Sequence, residues 1–263
     1  MKLLILTQKV DQNDPILGFF HAWLREFAKR FEKVSVICLG KEEYSLPSNI
    51  KVYSLGKEEG KSRLVYLWRF YKYIWSLRKE YDAVFIHMNQ EYVLLGWKTW
   101  WLLGKPIYLW RNHAQGSFFT RLAVLFSRKV FYTSPSSYTA RFKKAVQMPV
   151  GIDTDFFKPD PNIERKPNSV LFLGRISPVK KVLEFIDWVK TTPYTATIAG
   201  PILEKDRDYG EIVQHSVLHS NGKINYLGPV TQVETLKLYQ THEIYVNKTL
   251  AGSFDKVIFE AAA

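Results

Sequence analysis

Short apolar runs alternate with longer segments along the first 150 residues. Runs at 2–7, 33–39, 51–55, 83–87, 106–110 and 129–133 have the length and composition of strands. Between them, 16–31, 62–79, 91–103 and 117–127 have helix length; in 61–81, Leu64, Leu67, Trp68, Tyr71, Ile74 and Trp75 follow three-and-four spacing. Apolar strands alternating with helices predict an α/β fold whose parallel sheet is covered on both faces. A stretch rich in Pro, Asp and Asn at 151–168 then reads as a crossing between domains. The alternation restarts beyond it, with strands at 169–173, 195–199, 223–227 and 243–247. Helices are expected at 179–190, 209–219 and 232–239, with a last one from near 254. Two Rossmann-like doubly wound domains follow, 1–150 and 151–263. A doubly wound sheet commonly has more strands than the second domain supplies, so that domain reads as truncated.

Composition narrows the class. The chain has 263 residues, 46% of them hydrophobic and 24% charged, enough for a sizeable core and unlike a disordered tail. The one cysteine, Cys38, excludes an internal disulfide and a multi-cysteine zinc site, and points to a reducing, cytoplasmic setting. No apolar run approaches the roughly 18–20 residues of a membrane-spanning helix, and residues 1–7 read as a first strand, not a signal peptide.

Charge is divided unevenly. Residues 1–150 hold 24 Lys and Arg against 11 Asp and Glu, whereas 151–263 hold 13 against 14. A basic lobe beside a neutral one suits a polyanion: nucleic acid, anionic lipid or a phosphate-bearing substrate. Solubility alone is the plainer reading. The helix at 61–81 interleaves its aromatics with Arg63, Arg69, Lys72, Arg78 and Lys79, so it suits either an anionic bilayer surface or a sheet-packed helix with a solvated face. Segment 92–103 is broken by Lys98 and is either buried or interfacial.

The segment VLFLGRISPVKK (170–181) carries the most chemistry. An apolar strand runs into Gly174, and Ser177 followed by Pro178 reads as a helix start. Lys180 and Lys181 then fall in a first turn, where cations oppose the helix dipole; either an anion held by backbone N–H groups, Arg175 and Lys180 resolves the conflict, or these are two solvated lysines and a surface arginine. In the common doubly wound order the first and fourth strands are neighbours. The loop KTLAGS (248–253) and the helix carrying Asp255 and Lys256 would then flank the same crevice. Glu260 suits either sugar hydroxyls or an ion pair with Lys256. In the first domain, Gly18 opens a helix in DPILGFF, and His87 (FIHM) and His113 (WRNHAQG) follow strands, at the ends that face a ligand crevice, where one of the two could instead be a structural hydrogen-bonding residue.

Taken in order, GIDTDFFKP (151–159), GRISPVK (174–180) and GSFDKVIFEAA (252–262) resemble three motifs of the retaining, bacterial-type GT-B glycosyltransferases of family 4, C-terminally truncated here. FIHM and WRNHAQG fit first-domain motifs of that family. The resemblance implies a first domain on the acceptor side and a second that binds the nucleotide-sugar. It assigns Arg175 and Lys180 to the donor diphosphate, and Glu260 to the ribose. Gly252, Ser253, Phe254 and Asp255 fall to the donor loop, with Gly18 near the diphosphate. His113 falls beside the donor sugar and Val230 at the base, while His87 is an acceptor-side candidate. Gly252 stands where the family has a glutamate, and Lys181 where it usually has glycine.

The expected activity is hexosyl transfer with retention from a nucleoside-diphosphate sugar to a hydroxyl acceptor, in cell-surface glycan or glycolipid assembly. His113, Arg175 and Lys180 are the catalytic candidates. The resemblance implies no cofactor and no metal. The acceptor is a glycan or lipid-linked molecule, the basic lobe meets an anionic membrane surface from the cytoplasmic side, and no nucleic acid is expected. The alternative is a nucleotide-binding pseudoenzyme without turnover.

Overall fold

A computed structural model describes residues 1–249 and 255–263. The chain divides into two units, Met1–Pro149 and Val150–Ala263.

In the first unit, β1 (Lys2–Val10), α1 (Gly18–Arg30), β2 (Lys33–Lys41), β3 (Ile50–Ser54), α2 (Arg63–Ser76) and β4 (Ala83–His87) come first. They are followed by α3 (Gln90–Leu102), β5 (Ile107–Trp110), α4 (Phe118–Phe126), β6 (Lys129–Tyr132) and β7 (Ala145–Gln147). The sheet is parallel throughout, in the order β3-β2-β1-β4-β5-β6-β7. Every residue of β4 is buried, as a central strand covered on both faces requires. Strand alternation divides β1 between two cores. Leu3 and Ile5 pack with Phe20 and Leu24 of α1, whereas Leu4 and Leu6 pack with Phe70, Ile74, Val93, Trp100 and Val124 of α2, α3 and α4. Full burial of one such leucine stabilises the fold by about 1.5–3 kcal/mol. Strand β7 was not expected: three residues are too few to show a period.

The second unit contains β8 (Lys166–Leu173), α5 (Val182–Lys190), β9 (Thr195–Ala199), α6 (Arg207–Leu218), β10 (Ile224–Tyr226), α7 (Gln232–Thr241), β11 (His242–Tyr245) and α8 (Lys256–Ala262). Its parallel sheet has the order β10-β9-β8-β11, so the first and fourth strands are neighbours, as the doubly wound pattern predicts. The segment expected as one helix from 179 is divided. Pro178–Lys180 form a 3-10 turn, Lys181 adopts φ 54°, and α5 starts only at Val182.

Glycine is required where the loops leaving β8 and β9 touch. Gly200 has φ +145°, and a Cβ built there would lie 1.9 Å from the Gly174 carbonyl oxygen. Its N–H donates to the Gly228 carbonyl at 2.7 Å, while the Gly174 N–H donates to Ala199 at 3.0 Å. The carboxyl ends of β8, β9 and β10 are thereby tied into one rim.

Candidate functional site

The rim of the second unit is joined to the segment after β11 by one ammonium. Lys180 is buried, and its Nζ donates to the Asp255 carboxylate and, at 3.2 Å, to Thr249 Oγ1. Asp255 Oδ2 also accepts from Asn247 Nδ2 at 2.9 Å and from Thr249 Oγ1 at 3.0 Å. An ammonium has three N–H donors, and two are used among the described residues. The neighbouring Arg175 is exposed, and its guanidinium makes no hydrogen bond or ion pair to a described residue. One exposed, uncommitted cation and one anchored cation therefore stand at the carboxyl end of β8.

The source of positive potential differs from the sequence expectation. Ser177 and Pro178 do not open an α-helix, so Lys180 and Lys181 do not lie in its first turn. Lys181 precedes α5 and pairs with Glu184 of the first turn at 3.1 Å, which places an anion where the helix dipole favours one. The Leu183 N–H at that helix start is capped by the Tyr209 hydroxyl at 3.2 Å. Lys181 thus lies before the helix and not in its first turn, and an acidic residue occupies that turn. At the other loop α8 spans seven residues, and Asp255 before it turns its carboxylate to Lys180 instead of capping. The cationic character rests on two side chains, not on two helix ends.

Glu260 is buried and accepts from Lys256 Nζ at 3.2 Å. Burial raises its pKa above the usual carboxylate range against the pull of Lys256, and burial lowers that of Lys256. Its carboxylate would have to share this lysine to reach a ribose. Val230 packs against Leu171, Leu173 and Ala199 immediately before Thr231, which caps α7 reciprocally with Glu234. Gly252, Ser253 and Phe254 lie outside the described residues.

In the first unit, Gly18 opens α1, and its N–H is committed to the Asp14 carbonyl at 2.9 Å. His113 is exposed in the loop after β5; its Nδ1 lies 3.1 Å from the Gln115 N–H. The same Nδ1 lies 3.2 Å from the Gln115 carbonyl oxygen, so it faces both a donor and an acceptor of one residue. Asn112 Oδ1 fixes the same loop by accepting from the Thr133 and Ser134 N–H groups at 3.2 and 2.8 Å.

His87 departs from its expected place. It is 3% exposed, stacks on Phe20 with ring centroids 4.0 Å apart, and meets Thr7 Oγ1 through Nδ1 at 3.2 Å. Burial pulls its pKa down to about 3, so the ring is neutral. It is a packed core histidine, and in this position it does not present itself to an acceptor. The sequence reading also missed Arg111, which is buried with Nη2 on the Gln115 carbonyl at 2.9 Å and Nη1 without a partner among the described residues. It missed Asn247 and Thr249 as well, because only the β8–β11 pairing brings them to Lys180.

Several solved structures share this architecture. HepE from Anabaena, in complex with UDP-glucose, matches with a TM-score of 0.73 at 16% identity, over 99% of this chain and 78% of the HepE chain. The chain has the GT-B fold. AviGT4, a glycosyltransferase involved in avilamycin A biosynthesis, matches with a TM-score of 0.64 at 15% identity, over 100% of this chain and 76% of its own. UDP-GlcNAc 2-epimerase from Methanocaldococcus jannaschii also matches, with a TM-score of 0.55 at 15% identity over 93% and 78% of the two chains. One fold thus carries two reaction types, and only the site can distinguish them. No protein-family model matches the sequence, and no curated protein matches it.

Proposed function

We propose that this chain is a glycosyltransferase of the retaining, family 4 type. It would move a hexosyl group from a nucleoside-diphosphate sugar to a hydroxyl acceptor in cell-surface glycan or glycolipid assembly. Uridine is the proposed base, because HepE carries UDP and UDP-glucose in its solved complexes. The observation that carries the proposal is the meeting of Lys180 with the segment after β11, beside an uncommitted Arg175, at the switch point of the second sheet.

As the glycosidic bond breaks, negative charge develops on the leaving diphosphate oxygen. Arg175 and the third N–H of Lys180 would stabilise it, and Asp255 holds that ammonium in place beforehand. His113 would hydrogen-bond a hydroxyl of the donor sugar. The backbone of Ser253 and Phe254, the Val230 backbone, Glu260 and Gly18 complete the proposed donor contacts. The proposed reaction employs no metal and no resident cofactor. The basic first unit would hold a glycan or lipid-linked acceptor at the cytoplasmic face of a membrane; among the described residues no helix is long and apolar enough to cross one.

Calorimetric titration of UDP and UDP-glucose tests the site. Arg175→Ala combined with Lys180→Ala should weaken binding at least about 100-fold, since each charge-assisted hydrogen bond contributes about 1.5–3 kcal/mol. Unchanged affinity in a folded double variant would remove the assignment. Tight binding without donor turnover in the presence of candidate acceptors would instead favour a nucleotide-binding protein.

A further inference from the structure

Helices α2, α3 and α4 cover one face of the first sheet, and all three end at the edge where the strands begin. That edge is opposite to the carboxyl ends, where ligands of α/β sheets bind. Each helix finishes on an exposed apolar side chain followed closely by a cation: Trp75 by Arg78, Trp101 and Leu102 by Lys105, and Leu125 by Arg128. Trp101 and Leu102 are each 74% exposed and Leu125 is 63% exposed, far more than packing of a monomer's helices demands. The Arg78 guanidinium lies over the Trp75 ring at 4.8 Å, and the Lys98 ammonium over Trp97 at 5.6 Å. Such side chains present an apolar body with a charged tip. The acidic groups of the same edge are Glu32, Glu80 and Asp82; Glu32 lies 4.0 Å from the N-terminal ammonium, Glu80 is paired with Lys33, and Asp82 accepts from the Lys2 N–H.

Between the last turns of α3 and α4 lies a cavity of about 520 Å³. Trp97 and Phe126, stacked at 4.0 Å between centroids, are part of its wall, with Trp101 and Leu125. Lys105 and Arg128 are the cations of its lining. An apolar hollow of this size with a few placed polar groups has the character of a ligand site. Its composition, aromatic and aliphatic walls with two cations, complements an acyl chain carrying an anionic headgroup.

We infer that this edge is a docking site for an anionic lipid bilayer, with the cavity receiving part of one lipid. The inference rests on the part of the proposed function that brings the basic unit to a membrane, and is independent of the donor chemistry. The exposed tryptophans sit at the interfacial depth, and Arg78, Lys105 and Arg128 meet the headgroups.

Flotation with phosphatidylcholine vesicles, with and without phosphatidylglycerol, tests it. The protein should float with the anionic vesicles alone. Lys105→Ala with Arg128→Ala should lower partitioning about 30-fold, each basic group being worth about 1 kcal/mol at such a surface. Trp101→Ala with Leu125→Ala should lower it at constant charge; all four residues are surface or half-exposed, so the fold is retained. Equal binding to neutral vesicles, or undiminished binding by either pair, would overturn the inference. So would light scattering that shows a dimer dissociated by Trp101→Ala in a protein that ignores vesicles, since the face would then join two copies. UDP titration of the same variants keeps the two proposals separate: vesicle binding lost with UDP affinity intact concerns this edge, and the reverse concerns the donor site.

Discussion

His87 shows how a side chain's role is decided by the face it occupies. It closes β4 two residues after Phe85, hence on the same face, and that face is covered by α1. The ring stacks on Phe20 and stays neutral because burial disfavours the imidazolium. Its folded pKa of about 3 lies below the ordinary 6.5, so its contribution to stability is complete above pH 6.5 and is lost as pH falls toward 3. His87→Phe should therefore flatten the acid arm of the stability profile by about one proton, roughly 1.4 kcal/mol per pH unit in that window. Urea unfolding at a series of pH values measures it, and an unchanged slope would mean that the native ring takes up a proton. The strand-end position of His87 was visible in FIHM; the covering of its face was not, because it depends on α1 crossing from elsewhere in the chain. His113, also after a strand, keeps an exposed ring because its loop leaves the sheet.

At the scale of elements, the turn from β8 to α5 is the part the sequence reading described least well. Ser-Pro is a strong local signal for a helix start, and the following residues do form a turn, but a 3-10 turn ended by Lys181 in the left-handed region. Tertiary contacts hold both sides of this turn: the Ile176 N–H before it is bound to the Pro201 carbonyl at 2.9 Å, and Lys180 within it is drawn to Asp255. Gly200 supports this path, since no side chain fits between it and Gly174. Gly200→Ala should destabilise the protein by at least about 2 kcal/mol, from backbone strain together with the displaced β8 loop. Chemical denaturation gives the value; a loss below about 0.5 kcal/mol would show that the loops separate freely. The strands themselves were legible because continuous Val, Ile and Leu runs have one use in a parallel sheet, to be buried on both sides.

For the whole molecule, the proposed ligand makes a prediction that no single element does. UDP at about 100 times its dissociation constant should stabilise the native state by about 2.7 kcal/mol, and Arg175→Ala at the same UDP concentration should cut this to about 0.3–1.3 kcal/mol, with a correspondingly smaller rise in melting temperature. A screen of nucleoside diphosphates by thermal shift reads the base as well, and no shift with any of them would remove the donor proposal. By itself the sequence determined the alternation of strands and helices, the break between a basic and a neutral lobe, and the residue types gathered near the strand ends. These follow from local periodicity and composition, which each segment carries within itself. Only the tertiary structure decided that β11 lies beside β8, that Asp255 holds Lys180 while Arg175 stays uncommitted, that the Tyr209 hydroxyl meets the Leu183 N–H at the start of α5, and that His87 is core. Each of these depends on residues far apart in the chain, whose meeting is fixed by packing and charge in three dimensions and leaves no local trace.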